Sequence, residues 1–285
     1  MLHVCEDDSS AVVRDFFERK AIGYDENWRG AYGRLVDALQ WSALELSVFS
    51  RLPPGFTFLD IGGGAGRWTH RIATHFPDST GMLYDLSSGM VGQARDRAAR
   101  HGYDHRVRFR NADVHDAADL LAGQTFDLVF NSHHLLGFVP DPGPVIASLT
   151  RLLALDGLMV SFLPNRWHAA FEDLAAGETE HVVRSLEGSR WATNSAPYRH
   201  LFTPGEIRAT HAASNLSVDL LTGFPSLIYP DVPDTPGARS ERVLQDEKVF
   251  QRVLSMEKEL LIDPDSGGRG ANLFVVASRA TPRIR

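Results

Sequence analysis

An α/β fold, with an open, mostly parallel sheet carrying helices on both faces, is predicted by three observations. Short apolar runs alternate with helical periodicity from residue 56 to about 163, the pattern of strand–helix–strand units. The first of these runs ends in a glycine cluster that passes directly into a helix. The composition, 43% hydrophobic and 23% charged over 285 residues, supplies a sizeable core and excludes disordered, collagen-like and small disulfide-rich classes.

The elements follow in order. Residues 10–50 hold two helices, the second with Leu35, Ala38, Leu39 and Ser42 on one face. FTFLDI (56–61) is a buried first strand, and Trp68, Ile72 and Phe76 recur every four residues on a helix that Pro77 stops. TGMLYD (80–85) is the second strand, followed by a helix from about Ser88 with Met90, Val91, Ala94 and Ala98 inward. RVRFRNAD (106–113) alternates with period two and TFDLVFNS (125–132) is a fourth strand. Val145, Ile146, Leu149, Leu152 and Leu153 mark a helix, after which Asp156-Gly157 turns the chain into a fifth strand, LMVSFLP (158–164).

Residues 165–200 shift toward aromatics and loop formers around two short helices. Thr203-Pro204-Gly205-Glu206 supplies an N-cap, a proline at the first helical position and an early acid, which predicts a helix to about Ala213. NLSVDLLTG (215–223) is a sixth strand, YPDVPDTPG (229–237) a loop, residues 244–262 a helix with Val249, Phe250, Val253, Leu254, Leu260 and Leu261 on one side, and LFVVAS (273–278) the last strand. Seven strands result.

Charge and cysteine usage narrow the function classes. The net charge is −7, and lysine occurs only at positions 20, 248 and 258, so most cations are arginines. Six of them, between Arg95 and Arg110, crowd one stretch; the reading preferred is a solvated helix and strand face rather than a phosphate-binding patch. The single Cys5 forms no internal disulfide or cysteine-based zinc site, and no metal motif is recognised. No apolar run approaches the roughly 18 residues of a membrane span, and MLHVCEDDSS has no leader pattern. A cytoplasmic, non-membrane protein, monomeric or homodimeric, is expected.

The sharpest signal is Asp60-Ile61-Gly62-Gly63-Gly64-Ala65-Gly66 between strand and helix. A ligand that approaches backbone closely requires glycine there. Two dinucleotide registers fail, because Arg67 or Thr69 stands where a glycine is needed, and no Gly-Lys-Ser/Thr follows for a nucleoside triphosphate loop.

This loop resembles motif I of class I S-adenosylmethionine-dependent methyltransferases, and the resemblance covers about residues 55–165. It implies a Rossmann-like, seven-stranded, mostly parallel sheet with N-terminal helices and a helical insertion after the fifth strand. Residues 1–50 would form a helical lid, 51–163 with 200–285 the cofactor-binding core, and 164–199 the cover over the substrate. S-adenosyl-L-methionine is the implied cofactor and S-adenosyl-L-homocysteine its product.

Asp60, Gly62, Gly63 and Gly64 belong to the loop itself, while Asp85, 19 residues after Gly66, matches the family's ribose-binding acid. Two hydroxyl donors suit an acceptor-only carboxylate. Asp113 fits the adenine-amine position with Ala112 or Val114 beside the ring, and Leu86 and Met90 would pack on the adenosine, Met90 serving equally as core. Asn131, Ser132 and His133 end the fourth strand facing the methionine portion. Leu155-Asp156-Gly157 departs from the family's more usual proline-glycine pair.

The subtype resembled is the group containing the tRNA wobble carboxymethoxyuridine methyltransferase, through GRLVDALQW (33–41) and the C-terminal LSMEKELLI and GANLFVVASR. There an arginine on the helix before the sheet touches the cofactor carboxylate; Val36 aligns with it here, and Arg34 is the nearby substitute. Candidate bases are His133, His134, His168 and His200, with Tyr24 on the lid. Trp28, Trp167, Trp191, Tyr198 and Phe202 lie in elements expected over the site. Methyl transfer to a small, aromatic or apolar natural-product intermediate is the leading expectation. The alternatives are a tRNA methyltransferase, which the negative charge disfavours, and a cyclase or binding protein that does not methylate.

Overall fold

The computed structural model describes residues 6–21, 23–24, 29–132, 134–175, 177, 179–190, 197–228, 239–263 and 268–280. Expectations for His133, Trp28, Trp191 and the 229–237 loop lie outside the described residues.

The helices are α1 (Glu6–Ala21), α2 (Ala31–Ser47), α3 (Arg67–His75), α4 (Ser88–His101), α5 (Ala117–Leu120), α6 (Pro142–Arg151), α7 (Arg166–Ala175), α8 (Thr179–Leu186), α9 (Pro204–Ala213), α10 (Arg239–Gln245) and α11 (Glu247–Leu260). The main strands are β1 (Thr57–Ile61), β2 (Thr80–Asp85), β3 (Val107–Asn111), β4 (Phe126–Asn131), β5 (Leu153–Pro164), β8 (Leu216–Phe224) and β9 (Asn272–Arg279), with a small pair β6 (Ser189–Arg190) and β7 (Arg199–His200) in between. The seven main strands form one sheet in the order β3-β2-β1-β4-β5-β9-β8. Only β9 runs antiparallel to both neighbours. The Rossmann-like fold implied by the motifs is present. Its strand order reverses between β1 and β4, where a crevice opens at the carboxyl edge.

Each sheet face carries its own core. Leu35, Leu39 and Leu44 of α2, Trp68 and Ile72 of α3 and Phe250 of α11 pack on Phe58, Phe130 and Phe162. On the other face Ala117, Val145, Ile146, Leu149 and Ile207 of α5, α6 and α9 meet Leu59, Val129 and Met159. Burial of side chains of this size stabilises by about 1.5–3 kcal/mol each, which is why the apolar stripes fix the layers.

Two expectations are corrected. Asp156-Gly157 is no turn between separate elements: β5 starts at Leu153, and because Phe126 pairs with Leu153 while Leu128 pairs with Leu158, the intervening residues bulge outward. Residues 244–262 are not one helix, since Asp246 accepts hydrogen bonds from Lys248 and Val249 amides and so caps a new helix, α11. Val249 consequently turns to solvent, whereas Phe250 and Leu261 are buried.

Within the arginine cluster, Arg106 serves the fold. Arg106 donates to the carbonyls of Ala73, Phe76 and Ser79 around the end of α3, and Arg95 and Arg110 reach those of Phe109 and Leu120. Arg106 thus ties down the end of α3, while Arg95, Arg100 and Arg108 stay exposed on the solvated helix and strand face.

Candidate functional site

A cavity of about 750 Å³, including its open mouth, lies at the carboxyl edge and is lined by Gly62, Gly64, Asp85, Leu86, Met90, Asp113 and Val114, among others. That size falls in the range of about 300–1,000 Å³ typical of small-molecule sites. Gly64, at φ +54°, offers open space where a side chain would stand, with only the Met90 sulfur 4.0 Å from an added Cβ. The loop is tied down by the Gly62 amide donating to the Tyr84 carbonyl at 2.7 Å. Gly66 closes it in the left-handed region at φ +75° and starts α3.

Asp85 at the tip of β2 holds the centre. Its carboxylate accepts from the Gly64 amide at 2.8 Å and the Ser87 amide at 2.9 Å, one on each oxygen. Each oxygen retains a lone pair for a further donor. Burial pushes its pKa up to about 6 against the pull of those two amides, and the Glu18 charge adds to the rise. Asp113 behaves oppositely. Despite burial, hydrogen bonds from the His115 ring at 2.6 Å and the His115 amide hold its pKa below the ordinary carboxylate range. The Tyr84 hydroxyl donates to the Asp113 carbonyl at 2.6 Å, fixing this corner.

Asp60 lies under the glycine loop, fully buried, with its Oδ2 accepting from Thr69 Oγ1 at 2.5 Å. Burial pushes its pKa up to about 7; the Thr69 bond opposes this and the Asp85 charge reinforces it. Its Oδ1, Gln40 Oε1 and Asn131 Oδ1 are buried acceptors that lack a hydrogen-bond donor among the described residues. Orphaned buried acceptors call for a ligand or water with N–H or O–H groups. A ribose diol fits the acceptor positions that Asp85 keeps open on the cavity.

The remaining sequence candidates divide. Tyr24 is among the residues lining the cavity. Gly63 packs beside Asp60, Asn131 is buried between β4 and β5 with its amide on Val160 and Ser161, and Ser132 accepts from Gln40 Nε2 at 3.0 Å. Asp60, Gly63, Asn131 and Ser132 are absent from the cavity lining and pack around it. Arg34 is a misplacement: α2 presents it outward, its guanidinium 4.9 Å above the Phe250 ring of α11. Val36, at the aligned position, is buried. His134 is separated from this cavity because it adopts a left-handed backbone at φ 66° and its Nε2 meets Asn272 Oδ1 at 2.6 Å. It lines a neighbouring cavity instead.

Sequence reasoning expected a first N-terminal helix but did not single out its Ser10, Val13 and Phe17, which line the first cavity. Their helical spacing was the available signal. Glu18 fastens this helix by accepting from the Ser88 amide at 2.6 Å and the Gly89 amide at 3.1 Å at the start of α4. A carboxylate at a helix N-terminus is favourable. Phe138, 5.1 Å from Phe17 and edge-on to it, and Leu135 were missed as well.

A glycine loop, a strand-end acid and an apolar slot with a second acid define a nucleoside-binding α/β protein. A methyltransferase-domain family model matches residues 52–200, more than half the chain. The chain belongs to this family, the class I S-adenosylmethionine-dependent methyltransferases, and is an enzyme that uses that cofactor. It is 29% identical over 223 residues to malonyl-[acyl-carrier protein] O-methyltransferase of Geobacter sulfurreducens, covering 78% of this chain and 76% of that one. It is 25% identical over 166 residues to tRNA 5-carboxymethoxyuridine methyltransferase of Escherichia coli, covering 58% and 62%, a little under two thirds of that enzyme. Among solved structures it is similar to geranyl diphosphate C-methyltransferase of Streptomyces coelicolor, which holds S-adenosyl-L-homocysteine, with TM-score 0.52, 14% identity and 85% and 79% coverage. The cyclase SpnF, at TM-score 0.54 and 15% identity over 89% and 85%, shares the fold. Such identities concern architecture alone. Among the described residues no helix is long and apolar enough to cross a membrane.

Proposed function

We propose that the chain methylates a small molecule. The observation that carries this reading is a second cavity of about 460 Å³, open mouth included, immediately beside the cofactor cavity. Consecutive residues join the two: Leu135 lines the first and His134 the second. Tyr32, Pro164, Ala169 and Leu201 give it some apolar wall, while His134, Asn165, His168, Glu172, Arg199 and Asn272 make its surface mainly polar, which suits orienting a small ligand that carries polar groups.

The bound cofactor supplies an electrophilic methyl group on a sulfonium. The chain's own residues orient and exclude water. Asp85 is the ribose acceptor, and Asp113 with Leu86 and Val114 forms the adenine slot. The roof of Phe17 and Phe138 keeps water from the shared wall.

The test is incubation with methyl-labelled cofactor and separated fractions of cell extract. Label in the low-mass organic fraction is expected. Label in tRNA instead would favour the RNA enzyme, and tight cofactor binding with no label in either fraction would favour a cyclase or binding role.

A further inference from the structure

Two of the arginines that crowd one stretch of the sequence meet again at the amino edge of the sheet. A third cavity, of about 530 Å³ with its open mouth, lies there beside the first residues of β1, β2 and β4 and the start of β3. Arg106, Arg108, Gln124, Thr57, Thr80 and Thr125 supply its polar wall. It shares no lining residue with the cofactor cavity, and β2 separates the two, since Thr80 lines one and Asp85 the other. Along an extended strand those residues stand about 16 Å apart. We propose that this cavity is a further binding site, for a phosphoryl group held by Arg106 and Arg108.

The donors in its wall suit an oxyanion. Arg106 donates to the carbonyls of Ala73, Phe76 and Ser79, which fix its guanidinium in place. A guanidinium carries five N–H groups, and these three bonds leave two for a ligand. Arg108 donates to Gln124 Oε1 at 3.2 Å, which holds it beside the start of β4 and leaves the Gln124 amide nitrogen as another donor. The exposed Thr80 and Thr125 hydroxyls have no hydrogen-bond partner among the described residues.

The charge balance selects the sign of the ligand. Arg51, Arg67, Arg151, Arg166 and Arg184 each meet a carboxylate, whereas among the described residues neither Arg106 nor Arg108 does. Asp127, next to the lining Phe126, accepts with Oδ2 from the Thr57 amide at 2.8 Å and hydroxyl at 2.9 Å and lies outside the cavity wall. Two guanidiniums without a carboxylate in one concavity make a positive spot on a chain of net charge −7. They also repel each other, and an anion between them relieves the repulsion. A phosphoryl group offers three acceptor oxygens, enough to engage both arginines and a threonine hydroxyl at once, whereas a carboxylate offers two.

The experiment titrates the full chain with inorganic phosphate and with phenyl phosphate, by phosphorus NMR and calorimetry, at constant ionic strength. Saturable binding of at least one probe is expected, with a dissociation constant of about 1 mM or tighter that S-adenosyl-L-homocysteine leaves unchanged. Arg108→Gln should weaken binding about tenfold and Arg108→Lys by less. Arg100→Gln removes an exposed cation of α4 and should stay within about twofold of the parent, which separates a site from general attraction. Cooperative thermal melting checks that each variant is folded. The order of the two probes tells whether a free phosphate or an ester is preferred, and either order supports the site. The proposal is overturned if neither probe saturates, if folded Arg108→Gln binds like the parent, if Arg100→Gln loses as much as Arg108→Gln, or if S-adenosyl-L-homocysteine displaces the probe.

Discussion

Cofactor affinity should depend on pH through Asp85, and the direction follows from its surroundings. In the free protein its pKa is about 6, raised by burial. Ribose hydroxyls are donors and favour the ionised carboxylate, so binding lowers this pKa and releases a proton below pH 6. If only the ionised form accepts both hydroxyls, about one molecule in eleven is competent at pH 5, and affinity there is about tenfold below its plateau, or about 1.4 kcal/mol.

Folding stability runs the other way. The folded protein keeps a proton on Asp85 that the unfolded chain, near the ordinary value of 3.8, has lost, so this group's contribution falls as pH rises from about 4 to 6. Calorimetric titration with S-adenosyl-L-homocysteine between pH 5 and 8, in two buffers of different ionisation enthalpy, measures both affinity and proton release. An affinity constant across that range, with no proton exchanged at pH 5.5, would refute the reasoning. Asp85→Asn should bind weakly and flatten the curve.

Two further outcomes follow from packing. In Gly66→Ala the new Cβ would stand 2.9 Å from Ala94 Cβ in a backbone at φ +75°, so a loss of about 2–4 kcal/mol and a melting point roughly 5–10 °C lower are expected. Gly92→Ala, in α4 with nothing within 4 Å of its added Cβ, should stabilise by about 0.5–1 kcal/mol; a reversed order in thermal melts would contradict this account. Glu18→Gln removes the charge that fastens α1 over α4, and the release rate of S-adenosyl-L-homocysteine should rise up to about fivefold in stopped flow. An unchanged rate would mean that α1 does not govern release.

Much of the cofactor side is legible because its signals are local. An apolar run, a glycine cluster and a helical repeat place β1 and α3, and the TGMLYD run delivers Asp85 to the same sheet edge. Caps such as Thr203 and its proline are equally local and mark α9. What escaped depends on distant partners. His134 is drawn to Asn272, 138 residues away, and Arg34 points outward because α2 turns Leu35, Val36 and Leu39 toward the core. No periodicity within either segment shows which helix or strand will pack beside it. The break at Asp246 was readable in principle as a cap, but continuous apolar spacing across it favoured one helix.

A crystal structure of the complex with S-adenosyl-L-homocysteine tests the central claim most directly. The account predicts each ribose hydroxyl oxygen within about 2.6–2.8 Å of an Asp85 carboxylate oxygen, with adenine between Leu86 and Val114. A nucleoside bound outside this cavity, or one whose ribose leaves Asp85 bonded only to the Gly64 and Ser87 amides, would contradict it.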